Sequence, residues 1–555
     1  MFVRRKKVRG QVYLQIVESR REKGTVRQRV LASLGREDRL KQSGGLDGLA
    51  ESVARHCESL LVISAHRQGK LGELENWRIG PALVFERLWE QTGCRQVIES
   101  FTRGRRFGFS LERAVFLTVL HRLFAPGSDR SAEKWKELYR IEDTESLQLH
   151  QLYRTMGWLG EELEREGQGE RTPFVPRCRK DLIEEELFSQ RRDLFSSLDM
   201  VFFDTTSIYF EGRGGETMGQ RGHSKDHRPD LPQMVVGIVI DSQGIPLCCE
   251  MWPGNTTDVK SLIPVVDRLR RRFSINRICI VADRGMTCKE TIQQLEAREW
   301  RYILGARLRS VQQVKREVLS RGGCYREVYP GRKKSKDPAP LKVKQVRVND
   351  HRYVVCFNPE QARYDAMTRK AIVESLQKQL RRGEKSLVGN KGYRRYLRSE
   401  GKDFTIDEEK VAEEARYDGK WVLRTNTDLS AEEAALKYKQ LWTVEEMIRS
   451  VKSILETRPI YHQKDETIRG HVFCSFLALI LRKELEDRLQ RAGWKLEWRD
   501  VVQDLDCLEQ IKVAQQGKQF LLRTAAKGVA GKVFQAAGVA LPPTVQRLDT
   551  HPKEA

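Results

Sequence analysis

A chain of 555 residues has room for several domains and at least one large core. Hydrophobic residues make up 39% and charged residues 32%, a soluble globular balance, and no apolar run reaches the roughly 18 residues of a membrane span. The 100 Lys and Arg exceed the 77 Asp and Glu by +23 charges, an excess that favours a polyanionic partner, foremost nucleic acid. The amino terminus, MFVRRKKVRGQVYLQ, has basic residues with no apolar stretch behind them, so it does not read as a secretory signal. Eleven cysteines without a CxxC pair fit reduced thiols in a cytosol better than a disulfide framework or a zinc site.

In chain order, residues 1–75 form a basic module in which VYLQIVES and GTVRQRVLASLG read as a β-hairpin. Residues 1–40 alone carry 12 basic against 4 acidic side chains. From 76 to 195 the spacing is helical, as in RIGPALVFERLWEQTG and LERAVFLTVLHRLFAP, and this reads as an all-α domain. The period changes over 196–310. LDMVFFDTTSIYF reads as a strand holding Asp204, and MVVGIVI–DSQG–IPLCCEMW as an antiparallel hairpin. A helix of about sixteen residues follows. RICIVAD is then a buried strand ending in Asp283, Thr287 and Glu290 suggest a capping box for the next helix, and WRYILGARL reads as a strand. This β-β-β-α-β-α-β order is ribonuclease-H-like, and it predicts an α/β fold with Asp204 beside Asp283. Residues 311–425 read as an inserted mixed β/α subdomain rich in β structure, in which KGYRRYLR interleaves Lys391, Arg394 and Arg395 with tyrosines, as a nucleic-acid surface does. Residues 306–347 add 13 basic against 3 acidic side chains. The core resumes over 426–490, and 491–555 is expected to be helical.

The stretch YKQLWTVEEMIRSVK lies in this second core segment. Ser430 and Glu433 form a second capping box, so a helix begins near Ala431. Leu441, Val444, Ile448, Val451 and Leu455 make its apolar stripe. Tyr438, Glu445 and Lys452 recur every seven residues along a line beside that stripe. Three acids at such places, Asp204, Asp283 and Glu445, offer hard oxygen ligands for Mg²⁺, with Mn²⁺ as a substitute, in a two-metal phosphoryl transfer. Each also has a structural alternative: Asp204 and Asp283 as turn caps, Glu445 as a solvated acid with Glu446 the ligand.

These residues carry a resemblance. Tyr438-x2-Leu441-x3-Glu445-x6-Lys452 resembles the Y-x2-R-x3-E-x6-K pattern of DDE transposases of the insertion-sequence-four superfamily. The likeness extends through DTTSIYFEG, GHSKDHRPDLPQ, PGNTTD, VADRGM, KWVLRTNTDLSAEE and RPIYHQKDETIRGHVFCSFLAL. It implies cut-and-paste transposition of an insertion sequence by metal-dependent strand cleavage and 3′-hydroxyl transfer, by a homodimer that pairs inverted-repeat ends and joins them to target DNA. Asp204, Asp283 and Glu445 become the metal-binding catalytic triad, and Tyr438 and Lys452 phosphate contacts. The long interval from Asp283 to Glu445 matches the inserted subdomain of that superfamily. The pattern's arginine is Leu441 here, which exchanges a phosphate fork for an apolar contact.

Among the remaining candidates, Trp421 stands where some relatives stack a flipped base, a place equally suited to a core tryptophan. His223 and His227 are four apart but lie in a proline-bearing loop without a cysteine, and Lys225 and Arg228 beside them are the better candidates, as phosphate contacts. The ten apolar residues VFCSFLALIL are too short to span a membrane and suit a core helix. A structure-selective nuclease and a non-catalytic DNA-binding repressor are the competing functions.

Overall fold

The computed structural model describes residues 1–22, 25–54, 72–164, 176–191, 199–273, 278–332, 334, 337–382, 394–400, 403–515 and 518–548. The chain folds as two compact units, one of Met1–Val84, Glu137–Arg140 and Ala492–Ala555, the other of Phe85–Lys136 and Ile141–Arg491.

In the first unit, strands Phe2–Val8, Gln11–Glu22 and Thr25–Arg36 pair antiparallel in that order. The sequence suggested only two strands. The additional one is enabled by Arg9 and Gly10, both at positive φ, which turn the chain back within two residues. A second sheet has the order Val545–Leu548, Lys518–Arg523, Glu509–Gln515, Gly72–Arg78. Residues 491–555 are therefore not simply helical. Between helices Trp498–Asp506 and Ala530–Ala537 lies a hairpin whose Val513 and Phe520 are buried against Ile511, Leu522 and Val545.

The second unit is mixed α/β. Its helical part includes Leu111–Phe124, buried along its whole length and capped by Ser110, whose side chain accepts the N–H of Arg113. Against it packs a 27-residue helix, Asp465–Arg491, which contains the apolar VFCSFLALIL run. Among the described residues no helix is long and apolar enough to cross a membrane.

Beside these helices stands a nine-stranded sheet. In chain order its strands are β1 (Met200–Tyr209), β2 (Gln233–Asp241), β3 (Pro246–Pro253), β4 (Cys279–Ala282), β5 (Arg301–Ala306), β6 (Arg326–Tyr329), β7 (Leu341–Val348), β8 (His351–Phe357) and β9 (Lys420–Thr425). Their spatial order is β6-β7-β8-β9-β5-β4-β1-β2-β3, with β4 parallel to both β1 and β5 and every other pairing antiparallel. Two helices connect the parallel strands, α1 (Asp258–Phe273) and α2 (Lys289–Ala297). The expected element order from Asp204 to WRYILGARL is present strand for strand.

Side chains alternate across a strand. Val201 and Phe203 join the core containing Leu262, Val266 and Leu269 of α1 and Leu295 of α2. Asp204 therefore points to the opposite face, where α3 (Ala431–Lys439) packs on β4 and β5 and α4 (Leu441–Arg449) packs on β1. The Ser430–Glu433 capping box is present, each side chain bonding the other residue's backbone N–H. All five residues of the apolar stripe are buried. The helix is not continuous, however. It breaks at Gln440 and ends in a π-helical turn, Ser450–Ile454. The other expected box is absent: Cys288 caps α2, while the Thr287 hydroxyl donates to the carbonyls of Gly305 and Arg284.

Candidate active site

Phe203 of β1 and Ala282 of β4 are paired on adjacent parallel strands, and Asp204 and Asp283 are the next residue of each. The register alone sets the two acids side by side. Burial pushes the Asp204 carboxyl up to about 6; the Lys225 ammonium and the Thr205 N–H oppose this, and the charges of Asp283 and Glu445 add to it. Two acids far away in sequence thus bear on Asp204 by their charge. Glu445 reaches the group from α4 as an exposed side chain beside buried Val444 and Ile448.

Tyr438 of α3 donates its hydroxyl to Asp283 Oδ1 at 2.9 Å. Burial, followed by the Asp283 charge, raises the Tyr438 phenol and keeps it a donor. Gly305 makes room for it, since a Cβ there would lie 2.4 Å from the Tyr438 oxygen and 2.9 Å from the Arg284 nitrogen. Lys452, in the π-helical turn, bonds Asp226 Oδ1 at 2.7 Å, and Arg458 pairs with the same carboxylate. Burial lowers the Lys452 ammonium and Asp226 counters this. Of the line Tyr438–Glu445–Lys452, the first and last are held by protein carboxylates and the middle one stands open.

Lys225, expected at a DNA phosphate, lies inside the acid group instead. Its ammonium bonds the Thr205 carbonyl (2.8 Å), the Thr205 hydroxyl (3.0 Å) and Asp258 Oδ2 (3.0 Å). Asp258 and Asp226 were not singled out from the sequence. Both lie within stretches that carry the family likeness, GHSKDHRPDLPQ and PGNTTD, but on loops or element ends where no periodicity marks one residue above its neighbours.

The other candidates are scattered. Arg228 pairs with Asp230 at 2.9 Å and lies over the Tyr209 ring. His223 and His227 are exposed in the same loop. Trp421 is half-buried on β9, opposite Cys356 of β8. Arg394 begins a short 3₁₀ turn, Arg395 is exposed with its guanidinium over the Tyr396 ring, and Lys391 lies outside the described residues. Arg395 also lines a cavity of about 460 Å³ with Arg284, Arg309, Lys420, Glu414 and Asp418, a recess of mixed charge that begins one residue from Asp283. Leu441 is buried in the stripe and offers no donor.

Among the described residues, one set of three His, Cys, Asp or Glu brings its ligand atoms within 4.8 Å of one another: Asp129, His462 and His471. It is a hydrogen-bond chain as it stands. His471 Nε2 meets the Thr457 carbonyl at 3.2 Å, while its Nδ1 meets Arg122 Nη2 at 2.9 Å and His462 Nε2 at 3.1 Å. A guanidinium thus sits on the lone pair that a metal ion would need.

The family model of the transposase DDE domain matches residues 196–481, more than half of the chain and the whole of the segment that carries the three acids. The chain belongs to the DDE transposase family. A second model, the N-terminal domain of the IS1634 family of transposases, matches residues 3–65, so this is the DDE transposase of an insertion sequence. Solved structures similar to the transposase include the piggyBac transposase synaptic complex with hairpin DNA, at 10% identity and a TM-score of 0.37, covering 77% of this chain and 79% of that one. The Mos1 transposase paired-end complex with its left transposon end follows at 15% identity and a TM-score of 0.15, covering 38% and 66%. A Mos1 mariner paired-end complex with Mn gives 14% identity, a TM-score of 0.14 and the same coverage. No curated protein matches the chain.

Proposed function

We propose that Asp204, Asp283 and Glu445 are the catalytic triad of the transposase and hold two divalent cations, Mg²⁺ by preference. The convergence of these acids carries the reading: register places two of them side by side, and the charges of Asp283 and Glu445 both bear on Asp204. The donor set is all hard carboxylate oxygen, which suits Mg²⁺ and also accepts Mn²⁺. Bound there, the ions supply activation of the attacking oxygen and stabilisation of the leaving one. The chain's own side chains do the rest. Tyr438 orients Asp283, α4 presents Glu445 beside its buried stripe, and Arg284 and Arg395 on the rim of the neighbouring recess face the strand leaving the site.

On this reading the core is ribonuclease-H-like in two parts, 196–310 and 426–490, with the insertion at 311–425. Residues 1–75 and 76–195 engage the element ends. Arg228, Lys391, Arg394 and Arg395 meet phosphates, and Trp421 stacks on a base. The reaction is cut-and-paste transposition, with the cleaved 3′-hydroxyl joined to target DNA by a homodimer that pairs two inverted repeats.

The test is incubation with Mg²⁺ and labelled DNA carrying the native element termini plus a target plasmid, followed by strand mapping. Cleavage at the termini and a joined product are expected, with both lost in Asp204→Asn, Asp283→Asn and Glu445→Gln. Cleavage without joining identifies a nuclease, and cleavage surviving in any of the three variants removes that acid from the triad.

A further inference from the structure

Thr205 is held on three sides. Its N–H donates to Asp204 Oδ1 at 2.7 Å, its carbonyl accepts from Lys225 at 2.8 Å, and its hydroxyl donates to Asp258 Oδ1 at 2.7 Å while accepting from Lys225 at 3.0 Å. The loop closes where Lys225 pairs with Asp258 Oδ2 at 3.0 Å. The Lys225 ammonium thus gives two hydrogen bonds to Thr205 and one ion pair to Asp258. Both Asp258 oxygens are engaged as well, so this fourth carboxylate of the cleft is committed to protein partners.

The ring sits where two elements meet. Asp258 is the first residue of the sixteen-residue helix α1, where a carboxylate is favoured by the unpaired N–H groups and the dipole of the helix. Lys225 belongs to the loop between β1 and β2, and its own N–H donates to Ser207 Oγ at 2.8 Å, anchoring that loop on β1. Helix, loop and strand are thus pinned at Thr205, next to the acid on which the site depends. Fixing the Thr205 peptide fixes its N–H, and that N–H fixes which way the Asp204 carboxylate turns.

We propose that Asp258 and Lys225 are positioning residues of the transposase: through Thr205 they lock the Asp204 carboxylate in the orientation that receives a divalent cation, and Lys225 spends its charge inside the protein rather than on DNA. This rests on Asp204 being a metal ligand. Partners of this kind, which orient a ligand without touching the metal, change metal affinity or activity about 10–100-fold when removed.

The experiment measures Mn²⁺ affinity by electron paramagnetic resonance and DNA affinity across a salt series, on folded full-length protein checked by thermal melting. Asp258→Asn and Lys225→Gln are each expected to weaken Mn²⁺ binding about 10–100-fold with DNA affinity and its salt slope unchanged. The double variant is expected to bind Mn²⁺ no more weakly than the worse single, because both act through one ring. If Asp258→Asn does not fold, Lys225→Gln, whose side chain is 31% exposed, decides on the same two readouts. Wild-type Mn²⁺ affinity in these variants overturns the inference. So does a salt slope reduced by about one in Lys225→Gln, the mark of a lost phosphate contact. Asp204→Asn separates the levels. If it still binds two Mn²⁺ ions, the triad assignment itself fails; if it does not while Asp258→Asn binds normally, only the positioning role falls.

Discussion

The hydroxyl of Tyr438 donates to Asp283 at 2.9 Å, across 155 residues of sequence. The family likeness would place this tyrosine on a DNA phosphate, yet its one proton is already committed to a carboxylate. Tyr438→Phe is accordingly expected to slow cleavage about 10–100-fold, as loss of a ligand-orienting partner does, while leaving DNA affinity within about twofold. A drop in DNA affinity that matches the drop in rate would assign the hydroxyl to phosphate instead.

Gly305→Ala tests the same contact from its other side. A Cβ at this β5 position meets the Tyr438 oxygen at 2.4 Å and the Arg284 backbone nitrogen at 2.9 Å. The tyrosine tip can swing aside, but the backbone can yield only by moving the segment that carries Asp283. The substitution is expected to cost about 1–3 kcal/mol in chemical denaturation, typical of overpacking, and to slow cleavage at least as much as Tyr438→Phe. Unchanged stability and rate together would show that the crowding is relieved without cost.

Asp204 gives a pH signature. Burial raises its carboxyl to about 6, above its value in the unfolded chain, so the folded protein binds the proton more tightly between about pH 4 and 6. Stability from this group is full below the unfolded value and is lost as pH rises through about 6. At pH 7 the ionised carboxylate therefore costs the metal-free fold of order 2–3 kcal/mol. Asp204→Asn removes the titration. In metal-free buffer the variant should melt above wild type at pH 7, and the two should converge near pH 4. Mg²⁺ should raise the melting temperature of wild type and not of the variant. A melting difference that does not change between pH 4 and 7 would contradict the burial of this acid.

Much of this arrangement is legible in the sequence because it is written in short periods. The apolar runs before Asp204 and Asp283 mark two strands, and five apolar residues from Leu441 to Leu455 mark the buried side of the helix that presents Glu445. What joins these elements is not written locally. Asp226 meets Lys452, and Lys225 meets Asp258, from a loop whose residues follow no period, so their partners are fixed only once the sheet has formed. The same limit explains residues 491–555. EQIKVAQ and KQFLLR are short, half-polar strands that pair with each other, and EQIKVAQ also pairs with Gly72–Arg78, more than 400 positions away, so the pairing leaves little local trace. Thr287 and Glu290 have the spacing of a capping box, but the Thr287 hydroxyl is drawn to the Gly305 carbonyl of β5, a tertiary partner that outweighs the local one.

Asp226 supplies the last prediction. Its side chain is 5% exposed, and it lies between the Lys452 ammonium, 11% exposed, and the Arg458 guanidinium. Removing the anion leaves two poorly solvated cations facing each other, whereas removing Lys452 leaves Asp226 still paired with Arg458. The costs should therefore be unequal. Asp226→Ala is expected to destabilise by about 3–5 kcal/mol, the usual result of stripping one partner from a buried pair, and Lys452→Met by clearly less. The double variant should be less destabilised than the sum of the two, with a coupling of about 0.5–3 kcal/mol by urea denaturation. Lys452→Met also settles what the lysine does for DNA. If its charge is spent on Asp226, the salt dependence of DNA binding will match wild type; if it holds a phosphate, the logarithmic slope will fall by about one. Additive stabilities together with a reduced slope would mean that Lys452 faces the nucleic acid and that its pairing with Asp226 is incidental.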